Sequence, residues 1–445
     1  MLFKRKIYQE MLDWKNSSQG KTALLIEGAR RVGKSTVVEE FAKKEYDSYI
    51  LIDFGAATSS IRDLFLDLSD LNYLFLQLQL QSRVDLHERR SLIVFDEVQL
   101  FPPARQAIKY LVRDGRYDYI ETGSLISIKK NVAGILIPSE EHRISMYPMD
   151  YEEFSWAVGD ESSTKIMLEL YSSGRPLGDA AMRRMLRQFR LYMLVGGMPQ
   201  AVSAYLESNN LRIVDEKKRE IIDLYENDFR KVDPSGRLSI LFDSIPGELA
   251  KNSSRFHISS FLPQSRPGDK SVLESISELA SSKTVLVAYN SNNPSVGLSA
   301  TRDIDKFKLY LADTGLFVTL AFKDSTFTDN LIYQNLLGDK LSVNLGYVYE
   351  NVVAQMLTAK GDSLVYHTFQ DTSSNHYYEV DFLITRKNRI CPIEVKSSGY
   401  KTHSSLDAFS KKYHERILNR YLVYTKDFRK DGDIFCIPPL FVPYI

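Results

Sequence analysis

The sequence predicts an α/β chain that opens with a parallel sheet and passes through a helical stretch into a second, mixed α/β region. Three observations predict this. Between Thr22 and about Met149, short apolar runs alternate with helical patterns, as strand and crossover helix do in a parallel sheet. The first run, "ALLIE", leads straight into two glycines, a lysine and a serine in "GARRVGKS". From Asp150 the apolar spacing turns long and helical, and strands return only from Lys306 onward.

Taken in order, "MLFKRKIYQEMLDWK" reads as an amphipathic helix, because acidic residues interrupt the apolar run that a leader peptide would need. Strands are expected at "ALLIE", "SYILIDF", "SLIVFD", "DYIET" and "RISMY". From Asp150 to about Ser282, helices are expected between breaks at "SSGRP", "GGMP", "DPSG" and "SRPGDK". Within that stretch, "HISSFLP" and "DKSVLESISELASSKTVLVAYNS" give a short helix, a turn, a longer helix and a strand, the order of a winged-helix module. The strands "FKLYLAD", "SLVYHTF", "YYEVDFLIT", "RICPIEVKS" and "RYLVYT" then form a mixed C-terminal domain.

A chain of 445 residues is too long for one ordinary core. Lys plus Arg equals Asp plus Glu at 57 each, so no overall field steers the chain to nucleic acid or an anionic membrane, and any basic site must be local. The two cysteines, Cys391 and Cys436, have no metal-ligand spacing and make no disulfide framework, which fits a reducing compartment and makes cytoplasm the expectation. No apolar run approaches the roughly 18 residues of a membrane span.

The stretch Gly28, Ala29, Arg30, Arg31, Val32, Gly33, Lys34, Ser35, Thr36 satisfies the phosphate-loop pattern G-x-x-x-x-G-K-S, with a strand in front and a helix behind. Main-chain N–H groups must close around phosphate oxygens, so Gly28 and Gly33 keep side chains out of the way. Lys34 adds a positive charge toward the outer phosphates, and the Ser35 hydroxyl can ligate magnesium. Downstream, "SLIVFDE" supplies Asp96 for the metal and Glu97 to orient attacking water, at the carboxyl end of a strand where such sheets place ligands. Glu97 argues against a small-molecule kinase, which must keep water out, and there is no N-K-x-D guanine-reading motif. ATP and Mg²⁺ are the expected cofactors, with hydrolysis the expected reaction. Thr122 and Ser124, after the next strand, are placed to sense the terminal phosphate. An arginine reaching the transferred group could be Arg143, before the last strand and offered to a neighbour in a homo-oligomer, or Arg30 or Arg31 in cis.

A second constellation lies in "YYEVDFLITRKNRICPIEVKSS". Glu394 and Lys396 are two apart on one strand and share a face. Asp381 ends a neighbouring strand with Glu379 on its side, and Glu350 lies on the helix "GYVYENVVAQML" just before. Asp381 and Glu394 could share a magnesium ion while Lys396 orients water at a phosphodiester, the D…E-x-K arrangement of many nucleases. Residues 386–430 are locally basic, with twelve Lys or Arg against four acids.

The stretches "ALLIEGARRVGKSTVVEEFAKKEY", "LIVFDEVQLFPPARQAIKYLV", "IETGSLIS", "RISMYPMDYEEF" and "GGMPQAV", with "YLADTGL", "GYVYENVV", "EVDFLI" and "PIEVKS", resemble the prokaryotic AAA-fold ATPases that carry a C-terminal domain of unknown function. The resemblance implies a P-loop AAA-type parallel-sheet domain over 1–150, a helical lid over 151–235, a winged-helix-like middle over 236–320 and a C-terminal α/β restriction-endonuclease-like domain over 321–445. It places the nucleotide motif on Gly28, Gly33, Lys34, Ser35, Asp96 and Glu97, and the nuclease-like pattern on Glu350, Asp381, Glu394 and Lys396. Two functions follow as expectations. One is an ATPase whose C-terminal part engages DNA and cuts it; the other is an ATP-dependent switch that binds a protein partner, with the nuclease-like domain inactive.

Overall fold

The computed structural model describes residues 1–124, 135–262, 265–266, 268–295, 297–325, 333, 335–336, 345–370, 377–397 and 403–445. Parts of "IETGSLIS" and "SRPGDK", and Lys401 of the basic stretch, lie outside the described residues. The chain divides into two compact units, Met1–Tyr147 with Ser281–Lys283, and Pro148–Ala280 with Thr284–Ile445.

In the first unit the five expected strands form β1 (Ala23–Gly28), β2 (Ser48–Asp53), β3 (Ser91–Asp96), β4 (Asp118–Gly123) and β5 (Glu141–Met146). They pair in the order β2-β3-β4-β1-β5, every pair parallel. β1, β3 and β4 are buried along their whole length, as strands covered on both faces must be. Helix α1 (Ile7–Ser18) is the amphipathic N-terminal helix, burying Ile7, Met11 and Trp14. Helices α2 (Lys34–Glu45), α3 (Ser59–Asp63), α4 (Leu71–Ser82) and α5 (Pro102–Asp114) make the crossovers. α5 is pinned to β5 through Arg105, whose guanidinium donates to both Glu141 oxygens at 2.9 Å with each side chain 1 % exposed.

The second unit opens with α6 (Tyr151–Ala157), α7 (Ser162–Ser172), α8 (Asp179–Val195), α9 (Pro199–Ser208), α10 (Leu211–Val232), α11 (Arg237–Ala250) and α12 (Lys270–Ser281). Two motifs far apart in sequence meet here. Asp313, the N-cap of α13 (Thr314–Leu320), accepts from the Gly197 N–H at 2.5 Å, and a Cβ on Gly315 would stand 2.5 Å from Gly196 Cα. "GGMP" and "ADTGL" thus need their glycines because two backbones touch. Lys218 of α10 ties the same place together, its buried ammonium donating to the carbonyls of Leu194 at 2.6 Å and Gly315 at 3.0 Å.

After α12 come β6 (Val285–Ser291) and β7 (Arg302–Leu311), antiparallel to each other. They do not close off a separate module. β6 also pairs in parallel with β8 (Val365–Gln370), which pairs with β9 (Tyr377–Val380), so one four-stranded sheet, β7-β6-β8-β9, runs across the expected boundary at 320/321. Helix α14 (Gly346–Ala359) precedes β8. A five-stranded mixed sheet follows, β10 (Phe382–Arg386), β11 (Arg389–Lys396), β12 (Arg420–Tyr424), β14 (Ile434–Ile437) and β13 (Arg429–Asp431) in spatial order, with α15 (Ser404–Tyr413) between β11 and β12. Asp381 separates β9 from β10 and marks the corner where the chain leaves one sheet for the other. No helix among the described residues is long and apolar enough to cross a membrane, and both cysteines are buried and free.

Candidate functional sites

The phosphate loop joins β1 to α2. A Cβ on Gly28 would lie 2.3 Å from the Met146 carbonyl of β5, so only glycine lets the strand end run this close to its neighbour. Gly33 caps α2 with φ 97°, in the left-handed region, and Arg31 also has positive φ at 69°. The first turn of α2 has neither a side-chain cap nor an acid, which leaves its N–H groups to an anion. Arg30, Arg31 and Thr36 are exposed, while Ala29 and Val32 are buried. Lys34 is 5 % exposed and its ammonium donates to the carbonyls of Gly28 at 3.1 Å and Ala29 at 3.0 Å. Burial lowers its pKa from the ordinary lysine value, against the pull of Glu97 and Asp96.

β4 lies between β1 and β3, and this explains how the loop reaches the acid. The Ser35 hydroxyl donates to Asp96 Oδ1 at 2.8 Å, and the Thr122 hydroxyl of β4 donates to the same oxygen. The Glu97 N–H donates to Thr122 Oγ1 at 3.3 Å. Thr122 is fully buried, and its hydroxyl links Asp96 to the Glu97 N–H. Ser124, beyond the end of β4, is half-buried. Glu97 has φ 51°, a left-handed conformation uncommon for a residue with a Cβ, and Gln99 Nε2 donates to its carboxylate. The hydroxyl and carboxylate oxygens of Ser35 and Asp96 are the hard donors that Mg²⁺ favours, so the residues present fit that ion.

Arg143 is not brought to this place. It lies within β5, in register with Leu25, three residues before Gly28 and so about 10 Å back along the strand. Its guanidinium pairs with Glu141 at 2.9 Å. One loop-supporting residue carried no sequence signal: Arg5, 7 % exposed, donates to the Val32 carbonyl at 2.8 Å and the Tyr147 carbonyl at 2.7 Å.

The second constellation does converge. Glu350, Glu379, Asp381, Glu394 and Lys396 line one cleft of about 520 Å³. Asp381 Oδ2 accepts from the Val395 N–H at 2.7 Å, which fixes the corner residue against β11. Lys396 Nζ lies 2.7 Å from Glu394 Oε1, while Glu394 Oε2 is buried without a hydrogen-bond partner. Burial raises the pKa of Asp381 well above the ordinary carboxyl value, and the Glu350 charge adds to the rise. Unexpectedly, β7 also faces this cluster. Lys308 Nζ donates to Glu350 Oε1 at 3.1 Å and Glu379 Oε1 at 2.6 Å, and the Tyr310 hydroxyl donates to Glu350. Among the described residues no group of three His, Cys, Asp or Glu side chains is arranged to hold a metal ion, and a magnesium site on Asp381 and Glu394 would offer two carboxylates, with its remaining positions left to water.

Residues 20–155 match the family model described as an AAA domain, and the first unit is a P-loop AAA-type ATPase-like domain. Two further models match, each described as a domain of unknown function: DUF8612 over 186–326 and DUF4143 over 345–440. A curated relative, an uncharacterized protein of Haemophilus influenzae, is 22 % identical over 184 residues, 40 % of this chain; the chain spans 43 % of that relative's length. Among solved structures, the Aeropyrum pernix ORC1 protein in complex with DNA is 14 % identical over 76 % of this chain and 93 % of its own, at a TM-score of 0.27. The Thermotoga maritima RuvB Holliday junction branch migration motor is 11 % identical over 64 % of this chain and 89 % of its own, at 0.28. Overlaps this low carry no argument about this chain.

Proposed function

We propose that the first unit binds ATP with magnesium and hydrolyses it. The observation that carries this reading is the convergence of Ser35, Asp96 and Thr122 directly behind a loop whose helix start is uncapped. Lys34 and the N–H groups of the loop and of the first turn of α2 bind the β- and γ-phosphates. Ser35 and Asp96 would hold Mg²⁺, which when bound offsets charge on the phosphate oxygens. Glu97 orients the water that attacks the γ-phosphorus as the bond to the β-phosphate oxygen breaks, releasing ADP and phosphate. Ser124, just beyond the carboxyl end of β4, is the residue we assign to sensing the terminal phosphate. Arg143 serves the reaction only through a homo-oligomer, and comparing molecular size with and without ATP tests that arm. Lys34→Ala is expected to lose nucleotide binding, and Glu97→Gln to bind ATP and turn it over slowly. Hydrolysis by Glu97→Gln at the parental rate would refute the assignment of the water-orienting residue.

For the second unit we read the order α14, β8, β9 and β10, β11, α15, β12 as a restriction-endonuclease-like arrangement, with Glu350, Asp381, Glu394 and Lys396 at its centre. Engagement of DNA is supported by a neighbouring groove lined by Tyr378, Asp407, Lys411 and Lys412, whose two ammonium groups could meet phosphates. The alternative, a cytoplasmic switch that reads nucleotide state to a protein partner with the nuclease-like domain silent, is supported by Lys308 within the acid cluster. A DNA titration across salt separates the two, since phosphate contacts give a steep loss of affinity as salt rises. Plasmid nicking beside a Lys396→Ala control tests cleavage; equal, negligible nicking removes it.

A further inference from the structure

β7 presents Lys306, Lys308 and Tyr310 at alternate positions, hence on one face. Lys308 is 5 % exposed, and a buried ammonium must find hydrogen-bond acceptors, of which carboxylates hold its charge best. Here Glu350 and Glu379 both accept from it, and the Tyr310 hydroxyl shares Glu350 Oε1. Burial works against the charge, but Glu350, Glu379 and Asp381 outweigh it and hold Lys308 above the ordinary lysine range. Lys306 donates to Thr368, and Lys396 pairs with Glu394. Among the described residues, three ammonium groups therefore stand against four carboxylates in and around this cleft.

We propose that Lys308 is the resident cation of the cleft, its ammonium held by Glu350 and Glu379 beside Asp381 and supplying there the positive charge that a divalent ion would bring, so that the folded chain loads no metal on Asp381 and Glu394. Magnesium asks for oxygens at about 2.0–2.1 Å in near-octahedral order and repels a like charge. A cation tethered to β7 competes at every metal concentration, because it never diffuses away. The proposal concerns the same cleft as the nuclease-like reading and opposes its magnesium-dependent form; its readout is metal binding and not cleavage, so its failure is seen apart from any failure to cut DNA.

The test is Mn²⁺ binding by electron paramagnetic resonance on the full chain without nucleotide. The parental protein is expected to show no bound Mn²⁺ that Asp381→Asn abolishes. Lys308→Met is expected to bind Mn²⁺ about tenfold tighter or more, a gain lost when Asp381→Asn is added and absent in Lys308→Arg. Mn²⁺ in the parental protein that depends on Asp381 would overturn the proposal, as would a folded Lys308→Met with no gain. Should Lys308→Met fail to fold, reductive methylation of the parental chain read by peptide mass decides: Lys308 is expected to stay unmodified with and without millimolar Mn²⁺, and Mn²⁺-driven modification would overturn it.

Discussion

Replacing Thr122 with valine removes one hydroxyl from a fully buried position while keeping the side-chain volume. That hydroxyl donates to Asp96 Oδ1 and accepts from the Glu97 N–H, so two residues of the nucleotide site lose a common support. A hydrogen bond to a charged group contributes about 1.5–3 kcal/mol. If that amount is lost from the orientation of Asp96 and Glu97 in the transition state, kcat falls about 10- to 150-fold. The same loss lowers unfolding free energy by a comparable amount. Among the hydrogen bonds of the described residues, Thr122 meets the loop only through the Asp96 oxygen it shares with Ser35, so nucleotide affinity should change less than turnover. Steady-state ATP hydrolysis, fluorescent-nucleotide titration and urea unfolding measure the three quantities. A folded Thr122→Val that hydrolyses ATP at the parental rate would refute the positioning role. Loss of nucleotide binding would instead show that Thr122 touches the phosphates.

The remaining expectations concern the second unit. Gly315→Ala drives a Cβ to 2.5 Å from the backbone of Gly196 and is expected to cost about 3 kcal/mol or more in urea unfolding. Gly247→Ala, in the interior of α11 with nothing within 4 Å of the added carbon, is expected to stabilise by about 0.5–1 kcal/mol. His367 hydrogen-bonds the Ser291 carbonyl through Nδ1, and burial pushes its pKa from 6.5 down to about 4. Because the folded value is depressed, the unfolded chain binds the proton first, so this stability is present above about pH 6.5 and lost as pH falls through 4. The loss totals roughly 3 kcal/mol, and His367→Asn should flatten the change in unfolding free energy across that window.

The parallel sheet was legible because β1 and β3 are nearly continuous apolar runs, the mark of burial on both faces, and because the glycines of the loop punctuate it. Asp96 and Glu97 were legible from the end of such a run. Asp381 was read as a strand end and is a corner between sheets, a distinction that depends on which strands pair and not on local pattern. Lys308 escaped notice for a physical reason: alternating lysines on a strand look like a solvated face. They are covered here only because β7 packs against α14, more than 30 residues further on. Arg5 is hidden in the same way, since its acceptors are backbone carbonyls that leave no trace in composition. Arg143 was placed at the very start of the last strand, "RISMY", but the strand begins at Glu141, and two residues of shift turned a free end into a paired strand position.

The sheet shared by β6, β7, β8 and β9 bears on how this polypeptide can be dissected. Expressing 321–445 by itself would strip β6 from β8, baring a row of main-chain donors and acceptors that invites sheet-to-sheet aggregation. The same cut would discard the ammonium lodged among the glutamates, leaving their mutual repulsion unopposed. A workable fragment has to start upstream of Val285, and inactivity in a shorter one would report lost scaffolding and say nothing about chemistry.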